Sequence, residues 1–212
     1  MLKRELCRIF DPLIESRQTV QSLVFAFSVM ILAPAWALPE GSELPALSVT
    51  SGGEFVFVDG KGAYQPWNSE HAPRRLSLVQ VLAASTKAAT LNEDFFDLLE
   101  TREYADEELQ STILIVSKKI PGPFRGFVKS NLKKNKKLYP ESVLIDDRAG
   151  ISWETWAPNE DLSTIILVDE NRKVLFYQEG KLSDENTEVL LQLIATKVQR
   201  EVAAAQATAK EE

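Results

Sequence analysis

The stretch Ser85-Thr86-Lys87 places two hydroxyls and an ammonium group directly after a long apolar run. Hydroxyls, backbone N–H groups and a lysine close to the start of a helix can hold an anion. The hydroxyls can instead bond nearby backbone N–H groups, as serine and threonine often do. The stretch therefore predicts either a site for a small anionic ligand or a helix cap.

Carboxylates lie near the ends of several predicted strands. In pairs they could hold a hard metal ion or act as acid and base in glycoside hydrolysis. The sequence has no calcium-loop spacing, however, and carboxylate pairs are common in an acidic chain. We therefore expect turn-stabilising or solvated roles, with no metal and no cofactor. The residues are Asp146, Asp147, Asp161 and Asp169.

Cysteine and histidine each occur once, as Cys7 and His71. Disulfide exchange needs a thiolate, a Ser-His-Asp triad needs a histidine base, and zinc sites are built mostly from these two residue types. His71 lies in a predicted loop, and the sequence has no G-x-S-x-G elbow. We expect neither a triad nor a zinc site, and no thiol chemistry in a chain that has lost Cys7.

The first 37 residues have the order of a secretory signal peptide. Lys3, Arg4, Arg8 and Arg17 precede an apolar run at residues 23–33. That run is too short to span a bilayer as a helix. Ala35-Trp36-Ala37 then supplies the small residues of a cleavage site. We expect cleavage after Ala37, a periplasmic protein, and no stable membrane insertion afterwards. The alternative is an uncleaved membrane anchor.

A basic cluster interrupts an otherwise acidic chain. Residues 38–212 contain 20 basic and 28 acidic residues, a net charge of −8, which argues against nucleic-acid binding. Lysines late in a helix favour its negative end and can simply be solvated. The other hypothesis is a docking patch for an acidic partner or for anionic headgroups. The lysines are Lys129, Lys133, Lys134, Lys136 and Lys137.

Strand and helix patterns alternate after residue 75. Buried strands are predicted at 76–84, 113–116, 143–145 and 165–168, with a return strand at 174–177 and a final helix capped by Ser183. The pattern Thr90-Leu91-Asn92-Glu93 predicts a capping box, and Asn171 a left-handed turn residue. Phe124, Phe127, Val128 and Leu132 are predicted to share one helix face. This order predicts an α/β fold with a parallel sheet core and a terminal hairpin.

The regions outside this core are shorter. Two strands joined by a turn at Ser51-Gly52-Gly53 are predicted before a loop at residues 59–73. One domain is expected over residues 38–202, followed by a frayed tail at residues 203–212.

Several spaced motifs resemble the YtfJ family of exported bacterial proteins. They are Trp67-Asn68-Ser69, Asn135-Lys136-Lys137-Leu138-Tyr139-Pro140, then Asp147, Gly150, Trp156, and Ser163–Asp169 with Gly180. The resemblance covers roughly Leu44 to Gln199. It implies a periplasmic, thioredoxin-like domain with a mixed central sheet flanked by helices and an N-terminal β-hairpin extension. The family has no known biochemical function, so the resemblance implies no activity.

The resemblance also implies where redox residues would lie. The loop Ala83–Ala89 takes the place of a Cys-x-x-Cys pair, and Ser163 takes the place of the cis proline that faces it. We therefore expect a binding or accessory module without redox activity. Its binding edge would comprise Ser85, Thr86, Lys87, Trp156 and Ser163, with Lys87 supplying charge and Trp156 contact area. The partner would be an unidentified periplasmic protein or a small anionic ligand.

The alternative is an enzyme that uses hydroxyl or carboxylate groups in the same cleft. Two structural features distinguish these hypotheses. A buried carboxylate with a raised pKa facing Ser85–Lys87 would favour the enzyme. An exposed apolar patch beside the lysines would favour the binding module.

Overall fold

The computed structural model of the chain describes residues 38–157, 159 and 162–208, so the predicted signal peptide and Asp161 lie outside the described residues. The strands are β1 (Ser48–Val58), β2 (Lys61–Asn68), β3 (Ser77–Ala83), β4 (Gln110–Val116), β5 (Val143–Asp147), β6 (Ser163–Val168) and β7 (Val174–Glu179). The helices are α1 (Thr86–Thr90), α2 (Glu93–Glu100), α3 (Arg125–Leu138), α4 (Ile151–Thr155) and α5 (Asp184–Thr208).

All seven strands form one mixed sheet in the order β2-β1-β5-β4-β3-β6-β7. Strands β3, β4 and β5 are parallel, and the other strands join the sheet antiparallel. The chain steps from β3 to β4 and on to β5 in one direction, so right-handed crossovers place α2 and α3 on the same face. The return step from β5 to β6 places α4 on the other face. The predicted mixed sheet flanked by helices is confirmed.

Strand β3 lies in the middle of the sheet and is covered on both faces. Every residue from Leu78 to Ala83 is buried, including the polar Gln80. A nearly continuous apolar run is what a central strand of this kind requires. This explains why β3 to β6 could be predicted from the sequence to within a few residues.

The N-terminal hairpin is present, but its turn is not at the predicted glycines. Gly52 and Gly53 lie inside β1, and the chain reverses at Asp59-Gly60. A Cβ atom on Gly52 would overlap the backbone carbonyl of Asp146, and one on Gly53 would overlap that of Gln65. The glycines therefore permit close approach of neighbouring strands. The predicted loop at 59–73 instead contains β2.

The predicted capping box at Thr90 is wrong. Thr90 ends α1, and its hydroxyl donates back to the carbonyl of Thr86. Asn92 precedes α2 without capping it. Its side chain instead donates to the Gly180 carbonyl at 2.9 Å and accepts from the Leu182 N–H at 2.8 Å. Asn92 thus ties α2 to the loop before α5, a contact that no local pattern can predict.

The β6–β7 turn and the last helix agree more closely with the sequence. Asp169 Oδ1 accepts from the N–H groups of Asn171 and Lys173 at 2.9 and 2.8 Å. The left-handed residue is Arg172, with φ 65°, rather than Asn171. Ser183 caps α5 by accepting from the Asn186 N–H at 3.1 Å, as predicted. Helix α5 continues to Thr208, within the segment expected to fray.

None of the helices within the described ranges combines the length and apolar composition needed to cross a bilayer.

Candidate functional site

The Ser85–Lys87 loop leaves the carboxyl end of β3 and starts a five-residue helix, α1. Ser85 Oγ accepts a hydrogen bond from the Ala88 N–H at 3.2 Å, so this hydroxyl is a helix cap. The Thr86 hydroxyl is buried and has no hydrogen-bond partner among the described residues. Lys87 is exposed. Of the three side chains, only the Lys87 ammonium group is freely accessible to a ligand.

Ser163 lies at the same edge, as predicted, because it pairs with Leu82 in the ladder between β3 and β6. Its side chain is completely buried and accepts a hydrogen bond from Gln80 Nε2 at 3.1 Å. The peptide bonds of the described residues are all trans. The structure therefore brings Ser163 next to the Ser85 loop but does not offer its hydroxyl to a ligand.

Trp156 is a core residue, which corrects the expectation that it offers contact area. Its side chain is 1% exposed, and the indole N–H donates to the Pro45 carbonyl at 2.8 Å. The ring packs edge-to-face on Trp67, with the centroids 6.2 Å apart. Pro45 belongs to the segment before β1, which closes over this face of the sheet. Trp153 is buried as well.

Asp146 is buried at the carboxyl end of β5, two strands away from β3. Its Oδ1 accepts from the Ser117 hydroxyl at 2.5 Å, and its Oδ2 accepts from Arg148 Nε at 2.9 Å. Both partners lie at the same edge of the sheet as Asp146, since Ser117 directly follows β4 and Arg148 directly follows β5. Charge and hydrogen-bonding capacity are thus matched inside the protein, as burial of a carboxylate requires.

Tyr64 on β2 covers this ion pair. The Arg148 guanidinium lies 4.5 Å from the ring centroid, and Lys129 Nζ approaches the same ring at 5.8 Å. The hydroxyl is buried with no hydrogen bond of ordinary geometry to a described residue. Burial first, and then the charge of Asp146, raise the pKa of Tyr64 to about 12. Tyr64 therefore stays neutral at physiological pH.

Asp147 is fully buried and organises the start of α4. Its Oδ1 accepts from the Gly150 N–H at 2.8 Å, and its Oδ2 accepts from the backbone N–H and the hydroxyl of Ser152 at 2.8 and 2.6 Å. Gly150 precedes the helix with φ 78°, a conformation that favours glycine. The carboxylate therefore has a complete set of partners that fix this turn.

Asp146 and Asp147 do not have the geometry that the enzyme hypothesis requires, and Asp161 lies outside the described residues. Neither Asp146 nor Asp147 faces Ser85–Lys87, because β4 separates β5 from β3. The two carboxylates stabilise turns, as the sequence predicted for them. His71 is exposed in a 3₁₀ turn, and the described residues contain no group of three potential metal-ligating side chains.

The lysine cluster lies on α3 and in its last turn. Lys129 contacts the Tyr64 ring, and Lys136 donates to the Ser142 carbonyl at 2.7 Å. Lys133, Lys134 and Lys137 are exposed. The cluster is thus partly anchored and partly open to solvent.

Phe124 and Phe127 form an exposed aromatic pair at the start of α3. Their side chains are 41% and 56% exposed, and the rings stack with centroids 6.4 Å apart. The predicted common face is wrong for these two residues, since only Val128 and Leu132 enter the core. Spacing does not reveal this difference, because Phe124, Val128 and Leu132 follow one another at intervals of four residues. The sequence signal is Pro121-Gly122-Pro123, which sets the entry of the chain into α3 and leaves Phe124 in a 3₁₀ turn before the helix.

Comparison with known proteins identifies relatives over most of the chain. The profile of a family described as "Bacterial protein of unknown function (YtfJ_HI0045)" matches residues 38–197. The uncharacterized protein YtfJ of Escherichia coli is 27% identical over 165 residues, which cover 77% of this chain and 89% of that protein. An uncharacterized protein of Haemophilus influenzae is 30% identical over 177 residues, covering 82% of this chain and 96% of its relative.

Similar solved structures support the fold alone. A thiol-disulfide isomerase from Corynebacterium glutamicum superimposes with a TM-score of 0.50 at 16% identity, covering 73% of this chain and 96% of that one. At this identity the similarity carries no activity across. Together with the strand order, it confirms the thioredoxin-like architecture.

Proposed function

The chain belongs to the YtfJ family of bacterial proteins, whose function is unknown, and we propose for it a binding role rather than a catalytic one. The protein is a periplasmic thioredoxin-like module without redox activity. It binds an acidic partner protein through the solvent-exposed residues of α3. We call this exposed part of the helix the α3 face and define it by Phe124 and Phe127 at its start and by Lys133 and Lys137 towards its end.

The observation that carries this proposal is the exposed Phe124–Phe127 stack. Aromatic side chains bury large apolar areas, and aromatic residues concentrate the binding energy of many interfaces. A solvent-exposed pair of stacked aromatic rings on a helix is suited to anchor a partner protein. Lysines on the same helix favour a partner of opposite charge and speed its approach.

The proposed location and the absence of redox activity rest on the sequence. Residues 1–37 have the composition of a secretory signal peptide, and Cys7, the only cysteine, lies within it. Removal of that segment leaves no thiolate that could attack a disulfide.

Site-specific photocrosslinking in the producing bacterium tests the α3 face. A photoreactive phenylalanine analogue replaces Phe127 in one variant of the full-length chain. In two control variants it replaces Leu98 or Val189, which are 48% and 43% exposed on other helices. We expect one discrete adduct from position 127 and none from the controls. Mass spectrometry should identify an acidic segment in the attached partner.

Charge reversal decides whether the adduct reports this surface. Lys133→Glu with Lys137→Glu should abolish the adduct at position 127, whereas Lys61→Glu with Lys181→Glu should leave it unchanged. An adduct that survives reversal of the α3 lysines would overturn the proposal. So would equal adducts at all three positions.

A second candidate is a small anionic ligand at Ser85, Thr86 and Lys87. The buried Thr86 hydroxyl without a partner favours it, because an unpaired buried hydroxyl is costly. If Lys87→Ala weakens phosphate binding to the purified protein and the α3 face yields no adduct, the site belongs to the Ser85 loop.

A further inference from the structure

A cavity of about 300 Å³ opens between α2 and the segment that follows α3. Leu78 and Ser111, at the amino ends of β3 and β4, line it. Phe96 and Leu99 on α2 and Tyr139 after α3 line it as well. The cavity therefore lies at the other end of the parallel strands from the Ser85–Lys87 loop. Its volume is at the lower end of the range of small-molecule sites.

The residues that line the cavity are mostly apolar or aromatic, but they do not close it off from solvent. Phe96, Leu99, Tyr104, Leu109 and Tyr139 line the space, yet each side chain is only half-buried. Core residues at such positions would normally pack against one another and close the gap. Three aromatic rings also supply faces that attract an organic cation.

Acidic side chains outnumber basic ones at the mouth of the cavity. Glu100, Glu103 and Asp106 line it. Two basic side chains donate to backbone carbonyls of this lining, Arg75 to that of Asp106 at 3.1 Å and Lys136 to that of Ser142 at 2.7 Å. A cationic group at the mouth is therefore favoured over an anionic one.

We propose that this cavity binds a small amphipathic organic cation of the arylalkylammonium class. The aromatic ring of the ligand occupies the space between Phe96, Leu99 and Tyr139, and its ammonium group lies at the mouth near Glu103 and Asp106. Alkylammonium groups are protonated at neutral pH, as lysine is. This site is separate from the α3 face, and it does not depend on the partner proposed there.

Three matched probes test the proposal on the purified chain. They are 2-phenylethylamine, 2-phenylethanol and 3-phenylpropionate, which share a ring and differ in charge. We expect the amine to bind at least about threefold more tightly than the alcohol, and the carboxylate most weakly, since the carboxylates of the lining attract the ammonium group and repel the carboxylate probe. Titration calorimetry gives the affinities. Shifts of the methyl resonances of Leu78, Leu99 and Leu109 locate the site in the unmodified protein.

Two variants make the test specific. Glu103→Gln with Asp106→Asn should remove the preference for the amine over the alcohol, whereas Glu107→Gln with Glu188→Gln should keep it. Leu99→Trp should fill the cavity and abolish binding of all three probes, with the fold checked by circular dichroism. Equal affinity for amine and alcohol in the unmodified protein would overturn the proposal. So would the absence of methyl shifts at the three leucines.

Discussion

The carboxyl edge of the sheet and the α3 face differ in which side chains they bury: the edge buries polar and charged groups, and the α3 face exposes aromatic ones. At the carboxyl edge, Asp146, Asp147 and Ser163 are fully buried and hydrogen-bonded to neighbouring residues of the chain. On the α3 face, Phe124 and Phe127 are exposed to solvent. At the carboxyl edge these polar side chains are occupied within the fold and Lys87 is exposed, whereas the α3 face exposes an aromatic pair.

The contrast separates residues that complete the fold from residues left available for a partner. A buried carboxylate that receives several hydrogen bonds contributes to the positioning of a turn. An exposed aromatic pair gains little from the fold, so its presence calls for another explanation. Residue types alone favour the carboxyl edge over the α3 face as the binding surface.

The largest effect is expected at Asp147. Asp147→Ala removes the acceptor for the N–H groups of Gly150 and Ser152 and leaves them unpaired in a buried turn. The free energy of unfolding should fall by roughly 3 kcal/mol or more, since each unpaired buried group costs about 1–3 kcal/mol. Urea denaturation measures the change.

A variant in the same short helix provides the control for Asp147. Glu154→Ala removes the ion pair between Glu154 and Lys118, whose side chains are 63% and 44% exposed respectively. The free energy of unfolding should fall by less than about 1 kcal/mol. Similar losses for both variants would show that the buried carboxylate has no special role in the fold.

A smaller effect is expected at Asp146. Asp146→Asn removes the charge that pairs with Arg148 and weakens the bond to Ser117, at a cost of about 2 kcal/mol. The same change should lower the pKa of Tyr64 from about 12 towards 10.0, since the charge of Asp146 contributes to raising it. Spectrophotometric titration of the phenols measures the shift, and Tyr64→Phe assigns the transition.

Because the pKa of Tyr64 is raised in the folded state, the free energy of unfolding should depend on pH in the alkaline range. The folded protein holds this phenolic proton more tightly than the unfolded chain, so the associated stability is complete below pH 10.0. It is lost as the pH rises through about 12, the pKa in the folded state. Tyr64→Phe should therefore lose less stability over this interval than the unmodified protein. An identical loss in both proteins would contradict the proposed origin of the shift.

The exposed aromatic pair should affect stability least. Phe124→Ala combined with Phe127→Ala should change the free energy of unfolding by less than about 1 kcal/mol, because surface substitutions rarely cost more. Leu132→Ala, on the buried side of the same helix, should cost about 2–5 kcal/mol. Thermal and urea unfolding of the three proteins compares the two sides of α3. A large loss in the double variant would show that the pair belongs to the core.

The central part of the fold could be predicted because its apolar runs are local. Strands β3 to β7 and the cap at Ser183 follow from residues that neighbour one another in the sequence. The turn of the first hairpin could not, since Gly52 and Gly53 are required by the carbonyls of Asp146 and Gln65, which are distant in sequence. The same holds for Asn92, whose partners are about 90 residues away.

The candidate site was harder to predict than the fold. The family resemblance implied that Ser163 lies beside the Ser85 loop, where the structure has it, but nothing in the sequence indicated that its hydroxyl would be buried and bound by Gln80. A tryptophan at position 156 fits a binding surface or a core equally well, and only the bond to the Pro45 carbonyl decides between them. Burial is a property of the assembled fold, so a list of chemically capable residues does not determine which of them stay accessible.

The smallest effect is expected in disulfide reduction, where we predict none. Insulin reduction by dithiothreitol should proceed at the same rate with and without the chain that begins at Leu38, because Cys7 precedes that residue and is the only cysteine. Thiol–disulfide exchange needs a thiolate, and neither Ser85 nor Ser163 can replace one. The Phe124→Ala/Phe127→Ala variant is the matched control, since it alters the α3 face and leaves the carboxyl edge intact. A dose-dependent acceleration by both proteins would show that this edge binds an electron carrier. An acceleration that the double variant loses would instead place reductase activity on the α3 face and would contradict a purely binding role for it.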